Sequence, residues 1–270
     1  MRSVLLLAAT LLPACRSSSP PAASSTALRV ASAAPPAQPP GVSSLAPLPV
    51  GVALAMAPEP DTVDSSPCPR DVALIANGEN ENRTSFLEGR GGYWYTYADD
   101  QGTQVIPETA ANGGTFVMTP IGAQGTAYAA RMSGTLGRAP IVFAGMGFGF
   151  VDPLGPYDAR KYKGISFWAK TGAPRGIRKV RLNLPDRNTE PSGNVCTECF
   201  NDFGAYLELT DQWTRYVVPF ASMKQQSGWG NPRPAALATD ALYGVRFQVD
   251  NVAKRFEIWV DEIEFTGCSP

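Results

Sequence analysis

The chain has 270 residues, 23 basic and 24 acidic side chains, and no histidine. Its near-neutral balance leaves no basic stripe for nucleic acid. The missing histidine excludes Ser-His-Asp and Cys-His catalysis, His-ligated zinc and the His-carboxylate iron triad.

In chain order, Arg2 and the apolar run Val4 to Leu12 come first. That run falls well short of the roughly 20 residues that a spanning helix needs, so residues 1–14 are expected to be a secretory signal. Leu12-Pro13-Ala14-Cys15 resembles the lipobox of bacterial lipoproteins. The resemblance implies cleavage before Cys15, lipid on that residue, and anchorage to the bacterial cell envelope at the outer membrane or cell surface. A plain secreted protein is the alternative; either way the chain is exported. Residues 16–66 are dominated by Ser, Pro and Ala, and cannot bury enough apolar surface to offset the entropy of ordering. They are expected to form a tether reaching on the order of 150 Å when extended as polyproline II. The remaining 67–270 suit one all-β domain.

Within that domain, period-two alternation predicts strands at 71–76, 92–97, 115–119, 126–134, 142–151, 164–170, 179–184, 205–210, 213–219, 244–249 and 256–266. Short strands separated by Gly/Pro turns imply an antiparallel β-sandwich, a jelly roll. In 89–97, alternation puts Tyr93, Tyr95 and Tyr97 on one face and Trp94 on the other, so one set is exposed. In 144–151, Met146, Phe148 and Phe150 point inward. Glycines 145, 147 and 149 leave a bare strip, which implies close approach by a ligand or, in preference, by another part of the chain. Val180, Leu182 and Leu184 point inward against Arg181 and Asn183. Val245, Phe247 and Val249 do so against Arg246 and Gln248.

The segment 184–203 is too long for an idle hairpin turn and holds Asp186, Asn188, Glu190, Glu198, Asn201 and Asp202. It also holds Cys196 and Cys199. In an exported chain, once Cys15 is set aside, an even set of four cysteines reads as disulfides. Cys68 is expected to pair with Cys268 and join the domain's ends, and Cys196 with Cys199 to staple the loop. A zinc site would need all four to converge. A redox pair would need a helix N-terminus after a strand, where proline- and glycine-rich loop stands instead. Trp229 falls in a Gly-Trp-Gly loop, either as a ligand platform or as a plug on the sandwich end.

The segments 162–170 (YKGISFWAK), 211–220 (DQWTRYVVPF) and 256–265 (FEIWVDEIEF), in that order, resemble the galactose-binding-domain-like jelly rolls, including carbohydrate-binding modules attached to bacterial glycoside hydrolases. The resemblance implies a structural calcium served by Glu79 and Asp261, although Ala76 and Asn77 stand where many relatives carry an Asp pair. No other cofactor is required. It also implies a carbohydrate ligand on a concave sheet face. Aromatic faces would stack on sugar rings while polar side chains read hydroxyls. Arg181, Asn183, Arg246 and Gln248 are the expected readers if their faces coincide, although a solvated sheet face needs the same residue types. Trp229 and Tyr95 are the expected stacking residues, with Trp94 behind them and Asp186 and Asn188 on the rim. The leading expectation is a monomeric, non-catalytic, envelope-tethered binding module. The alternatives are a polysaccharide hydrolase using carboxylates of the 186–202 loop, and an adhesion lipoprotein with a protein ligand.

Overall fold

Branched and aromatic residues at alternate positions give strands one apolar face each, and two such sheets bury those faces against one another. The structure, a computed structural model, describes residues 67–250 and 254–268. The expected signal, Cys15 and the tether lie outside the described residues. Among the described residues twelve strands form: β1 (Leu74–Ala76), β2 (Trp94–Ala98), β3 (Gln104–Ile106), β4 (Thr119–Pro120), β5 (Tyr128–Thr135), β6 (Phe143–Gly149), β7 (Gly164–Thr171), β8 (Lys179–Leu184), β9 (Phe203–Glu208), β10 (Thr214–Pro219), β11 (Gly244–Asp250) and β12 (Arg255–Thr266). They make two antiparallel sheets. The larger has the order β10-β7-β12-β5-β3, with β1 added on β12 and β4 on β5; the other has the order β2-β6-β11-β8-β9. This is the expected all-β sandwich.

The core lies between the sheets. Phe167 of β7 meets Phe247 of β11 edge-on, with ring centroids 5.0 Å apart. Tyr162 stacks on Phe265 at 4.1 Å, and Phe150 lies 5.6 Å from Phe265. Trp94 belongs to this core, buried against Phe116 at 5.4 Å and Phe148 at 4.7 Å. It therefore cannot stand behind Tyr95 as a ligand residue, and that expectation is corrected. The alternation allowed two arrangements of 93–97, and packing an indole between the sheets buries the most apolar area.

Two strand expectations need revision, and one strand was not expected. Residues 70–73 form one helical turn instead of the start of a strand, and the N–H groups of Val72 and Ala73 donate to Pro69 O. Residues 115–118 keep the predicted alternation, with Phe116 and Met118 buried and Val117 exposed. Pairing in this stretch starts only at Thr119. The three-residue β3, just ahead of Pro107, gave no periodic signal.

Both expected disulfides are present. Cys68 bonds Cys268 across a sequence separation of 200, and Cys196 bonds Cys199. The domain ends are thereby fastened to each other, since Cys68 just precedes β1 and Cys268 follows β12.

Glu79 and Asp261, the pair expected to serve a calcium, are each engaged by hydrogen-bond donors. Among the described residues no three metal-capable side chains converge. Asp261 Oδ2 accepts from Ala123 N (2.7 Å) and Thr126 Oγ1 (2.6 Å), and Oδ1 accepts from Glu262 N. Glu79 Oε1 accepts from the N–H groups of Ala127 and Tyr128. Both carboxylates thus fasten the 121–128 turn through hydrogen-bond donors, where a cation would need oxygens. Asp261 is buried beside a bulge in β12, where Glu262 has φ of 49°.

Burial pushes the Asp261 carboxyl from 3.8 up to about 6, against the pull of Thr126 and Ala123. Between those values the native state binds more protons than the unfolded chain. The contribution is complete below about pH 3.8 and is lost as pH rises through about 6. At 1.36 kcal/mol per pH unit it amounts to roughly 3 kcal/mol. The stability difference between wild type and Asp261→Asn, measured by urea unfolding, should shift against wild type by that amount from pH 4 to pH 7. A flat difference across that range would contradict it.

Candidate ligand-binding face

The outward residues of the five-stranded sheet line up in rows across the strands. Tyr95 faces Gly147, Gly147 faces Arg246, Arg246 faces Asn183, and Asn183 faces Gly204. In the next row Tyr97, Gly145, Gln248, Arg181 and Tyr206 follow in the same order. The polar faces of β8 and β11 therefore adjoin, and five strands give a surface about 19 Å across.

The glycine strip is filled by the chain itself. A Cβ on Gly145 would run into the Tyr97 ring, and one on Gly147 would come within 3.0 Å of Arg246 Cγ. Small residues on β6 thus let Tyr97 and the Arg246 stem lie flat on the sheet. Tyr97 OH then donates to Gln248 Oε1 at 3.2 Å. Burial raises the Tyr97 pKa, so this hydroxyl stays protonated.

Arg246 is the electrostatic centre of the face. Its Nη2 donates to Glu190 Oε2 at 2.6 Å, its Nη1 to Asp202 Oδ2 at 2.8 Å, and its Nε to Tyr95 OH at 3.1 Å. Both carboxylates come from the 185–202 segment and are buried. Burial is the largest single influence and would lower the Arg246 pKa, but Asp202, Tyr95 and Tyr97 together outweigh it and hold Arg246 well above its usual value. Desolvation pushes the Asp202 carboxyl up while Arg246 opposes it.

Arg181 and Asn183 point toward the expected face but lie beneath its surface. Arg181 donates to Asn183 Oδ1, to Asp202 O at 3.1 Å and to Lys224 O at 2.8 Å. With those donors committed, direct reading of hydroxyls by Arg181 is corrected to support of the loops above. Asp186 is likewise fully buried. It accepts from Asn188 N and Ala238 N, both at 2.8 Å, and so caps turns instead of rimming a groove. Asn188, half-buried, is part of that turn. Of the expected readers, Arg246 and Gln248 retain partial exposure beside half-buried Tyr95.

The exposed aromatic residues come from loops and an edge strand. Trp229 is 41% exposed, Tyr206 43% and Phe200 58%, so Trp229 does not plug the sandwich. Trp229 Nε1 donates to Gln226 Oε1 at 3.2 Å, and Gln226 Nε2 donates to Tyr206 OH at 2.8 Å, linking the two rings. The Arg246 guanidinium lies 5.6 Å from the Phe200 ring centroid.

The stapled loop fixes this platform. Thr197 N and Glu198 N donate to Asn231 O, Asn231 N donates to Glu198 O, and Gly230 N donates to Glu198 Oε2. Buried Asn201 donates to Gln226 O and Trp229 O while accepting from Gln226 N. Gly230, at φ of 89°, passes so close that a Cβ would lie 2.6 Å from Asn201 Cβ. Tyr206 was legible from period two, alternating with Gly204 and Glu208, but Phe200 carried no periodic signal.

Residues 127–267 match the family model described as carbohydrate binding domain 30. The chain belongs to this carbohydrate-binding family. The matched stretch includes β6, β8, β9 and β11, while β2 with its tyrosines lies outside it. Among solved structures, the family 11 carbohydrate-binding module of the cellulosomal cellulase Lic26A-Cel5E of Clostridium thermocellum is similar at 16% identity. The match covers 73% of this chain and 95% of that one, with a TM-score of 0.49. The family 30 module of the cellulosomal cellulase Cel9D-Cel44B of Clostridium thermocellum is similar at 12% identity, covering 64% and 91%, with a TM-score of 0.44. A search of curated protein sequences finds no match. As a family 30 domain, this sandwich is a carbohydrate-binding module.

Proposed function

We propose that the domain holds a neutral polysaccharide across the outer face of its five-stranded sheet and performs no chemistry on it. The supporting observation is a charge-compensated polar face, with Arg246 between Glu190 and Asp202, flanked by exposed Phe200, Tyr206 and Trp229. Carboxylates already paired or capping backbone are poorly available as a general acid and base, which favours binding over hydrolysis by the 186–202 loop. The signal-like residues 1–14, Cys15 and the Ser/Pro/Ala-rich 16–66 support display from a lipid anchor on the bacterial envelope.

Affinity electrophoresis against a panel of neutral polysaccharides tests the reading. At least one should retard the wild type, and Trp229→Ala should weaken that interaction about 30-fold or more. Because the ring is a surface group, stability should change by less than about 0.5 kcal/mol. A lowered melting temperature with unchanged retardation would remove Trp229 from the site. Capture of protein by a chain that no glycan retards would favour the adhesion alternative.

A further inference from the structure

Three of the chain's five tryptophans are neither in the core nor on the face just described. Trp168, Trp213 and Trp259 are half-buried on the opposite side of the molecule, outside the larger sheet. The core beneath them is already closed by Phe167, Ala169, Ile258 and Val260, the inward neighbours on β7 and β12. Their indoles are therefore surplus to core packing.

They are also held in a set arrangement. Trp259 lies opposite Lys170 on one side and Arg131 on the other. Lys170 Nζ sits 4.8 Å from the Trp213 ring and 5.0 Å from the Trp259 ring, and the two rings meet edge to face at 6.4 Å. Glu257 Oε1 accepts from both Trp259 Nε1 and Arg131 Nε at 2.9 Å, fixing the indole's rotation. Gly172 leaves the room that Glu257 fills. Next to this row, Arg215 lies opposite Trp168.

The charges do not balance as they do on the other face. Glu257 is paired with Arg131. Among the described residues no carboxylate lies within ion-pair distance of Lys170 or Arg215. Lys170 acts on Glu257 at longer range and Arg215 donates to Ser166 Oγ at 3.1 Å, so neither is in a direct ion pair. Oriented indoles beside two such cations suit sugar rings that stack and bear negative groups. We propose that this outer face is a second glycan site, selective for polysaccharide carrying carboxylates, with Trp213 and Trp259 stacking on the sugars and Lys170 and Arg215 pairing with the acids. It goes beyond the neutral-glycan reading and does not depend on it.

The test is affinity electrophoresis of the full-length protein through polygalacturonate at low salt, with gels of the neutral polysaccharide panel run in parallel. Polygalacturonate should retard the wild type, and added salt should diminish the effect. Lys170→Met keeps the aliphatic stem between the indoles and removes the charge. It should weaken retardation about 10-fold or more, as loss of a charge-assisted contact does. Trp259→Ala should weaken it comparably. Both variants should behave as wild type in the neutral gels, while Trp229→Ala should retain the polygalacturonate interaction. An unchanged melting temperature establishes that Lys170→Met is folded. Wild type that runs freely through polygalacturonate, or Lys170→Met retarded as strongly as wild type, overturns the proposal whatever the neutral gels show.

Discussion

Replacing Cys68 and Cys268 together by serine is expected to lower the stability of the domain by about 5 kcal/mol, the loop-entropy limit for a closure of this length. The bond spans a sequence separation of 200, so its loss frees nearly the whole domain chain in the unfolded state. For a domain whose total stability is on the order of 5–15 kcal/mol, that is a large fraction. The bond joins residues beside β1 and β12 of the larger sheet, whereas the proposed neutral-glycan face lies on the other sheet. Urea unfolding should therefore show a much lower midpoint, with polysaccharide retardation preserved in the fraction still folded. An unfolding free energy within about 1 kcal/mol of wild type would mean that the unfolded chain is already compact.

Arg246→Met is expected to cost about 3–5 kcal/mol, because it strands two buried carboxylates. Glu190 and Asp202 retain only 6% and 3% side-chain exposure beside the guanidinium. Without the cation, desolvation is the main influence left on Asp202, whose carboxyl burial already pushes up against the pull of Arg246. The variant should then regain stability as pH falls and Asp202 protonates, and lose it as pH rises. Adding Glu190→Gln and Asp202→Asn should restore much of the loss, since neutral amides bury at lower cost. Ligand binding should not return with them, because the loop that carries Phe200 loses its anchor on β11. A variant whose deficit is the same at pH 4 and pH 8 would show that lost packing, not stranded charge, causes it.

Period two revealed the strands that bury one face, which is why β7, β8, β11 and β12 were legible almost to the residue. The Arg181/Asn183 and Arg246/Gln248 faces were legible for the same reason. Alternation tells which side of a strand a residue occupies, but not what lies above it. Arg181, Asn183 and Asp186 were accordingly read as surface groups, because nothing local announces that 185–202 and 224–231 fold back over them. Trp94 failed differently: its strand was read correctly and both faces were aromatic, so only packing against Phe116 and Phe148 decides which one is buried. The calcium expectation rested on two acids at suitable positions. Their occupation by N–H and O–H donors depends on the 121–128 turn, distant in sequence from both Glu79 and Asp261.

The covalent link between the domain's ends also governs how it bears mechanical load. Tension from the N-terminal side enters at Cys68, and β1, three residues long and paired to β12 alone, would peel away readily on its own. The Cys68–Cys268 bond passes that tension directly to the end of β12, twelve residues long and hydrogen-bonded to β5 on one side and β7 on the other. Pulling then shears a central strand along many bonds at once instead of unzipping an edge one bond at a time. A module that grips a polymer while held from its N-terminal side would resist drag through its strongest strand.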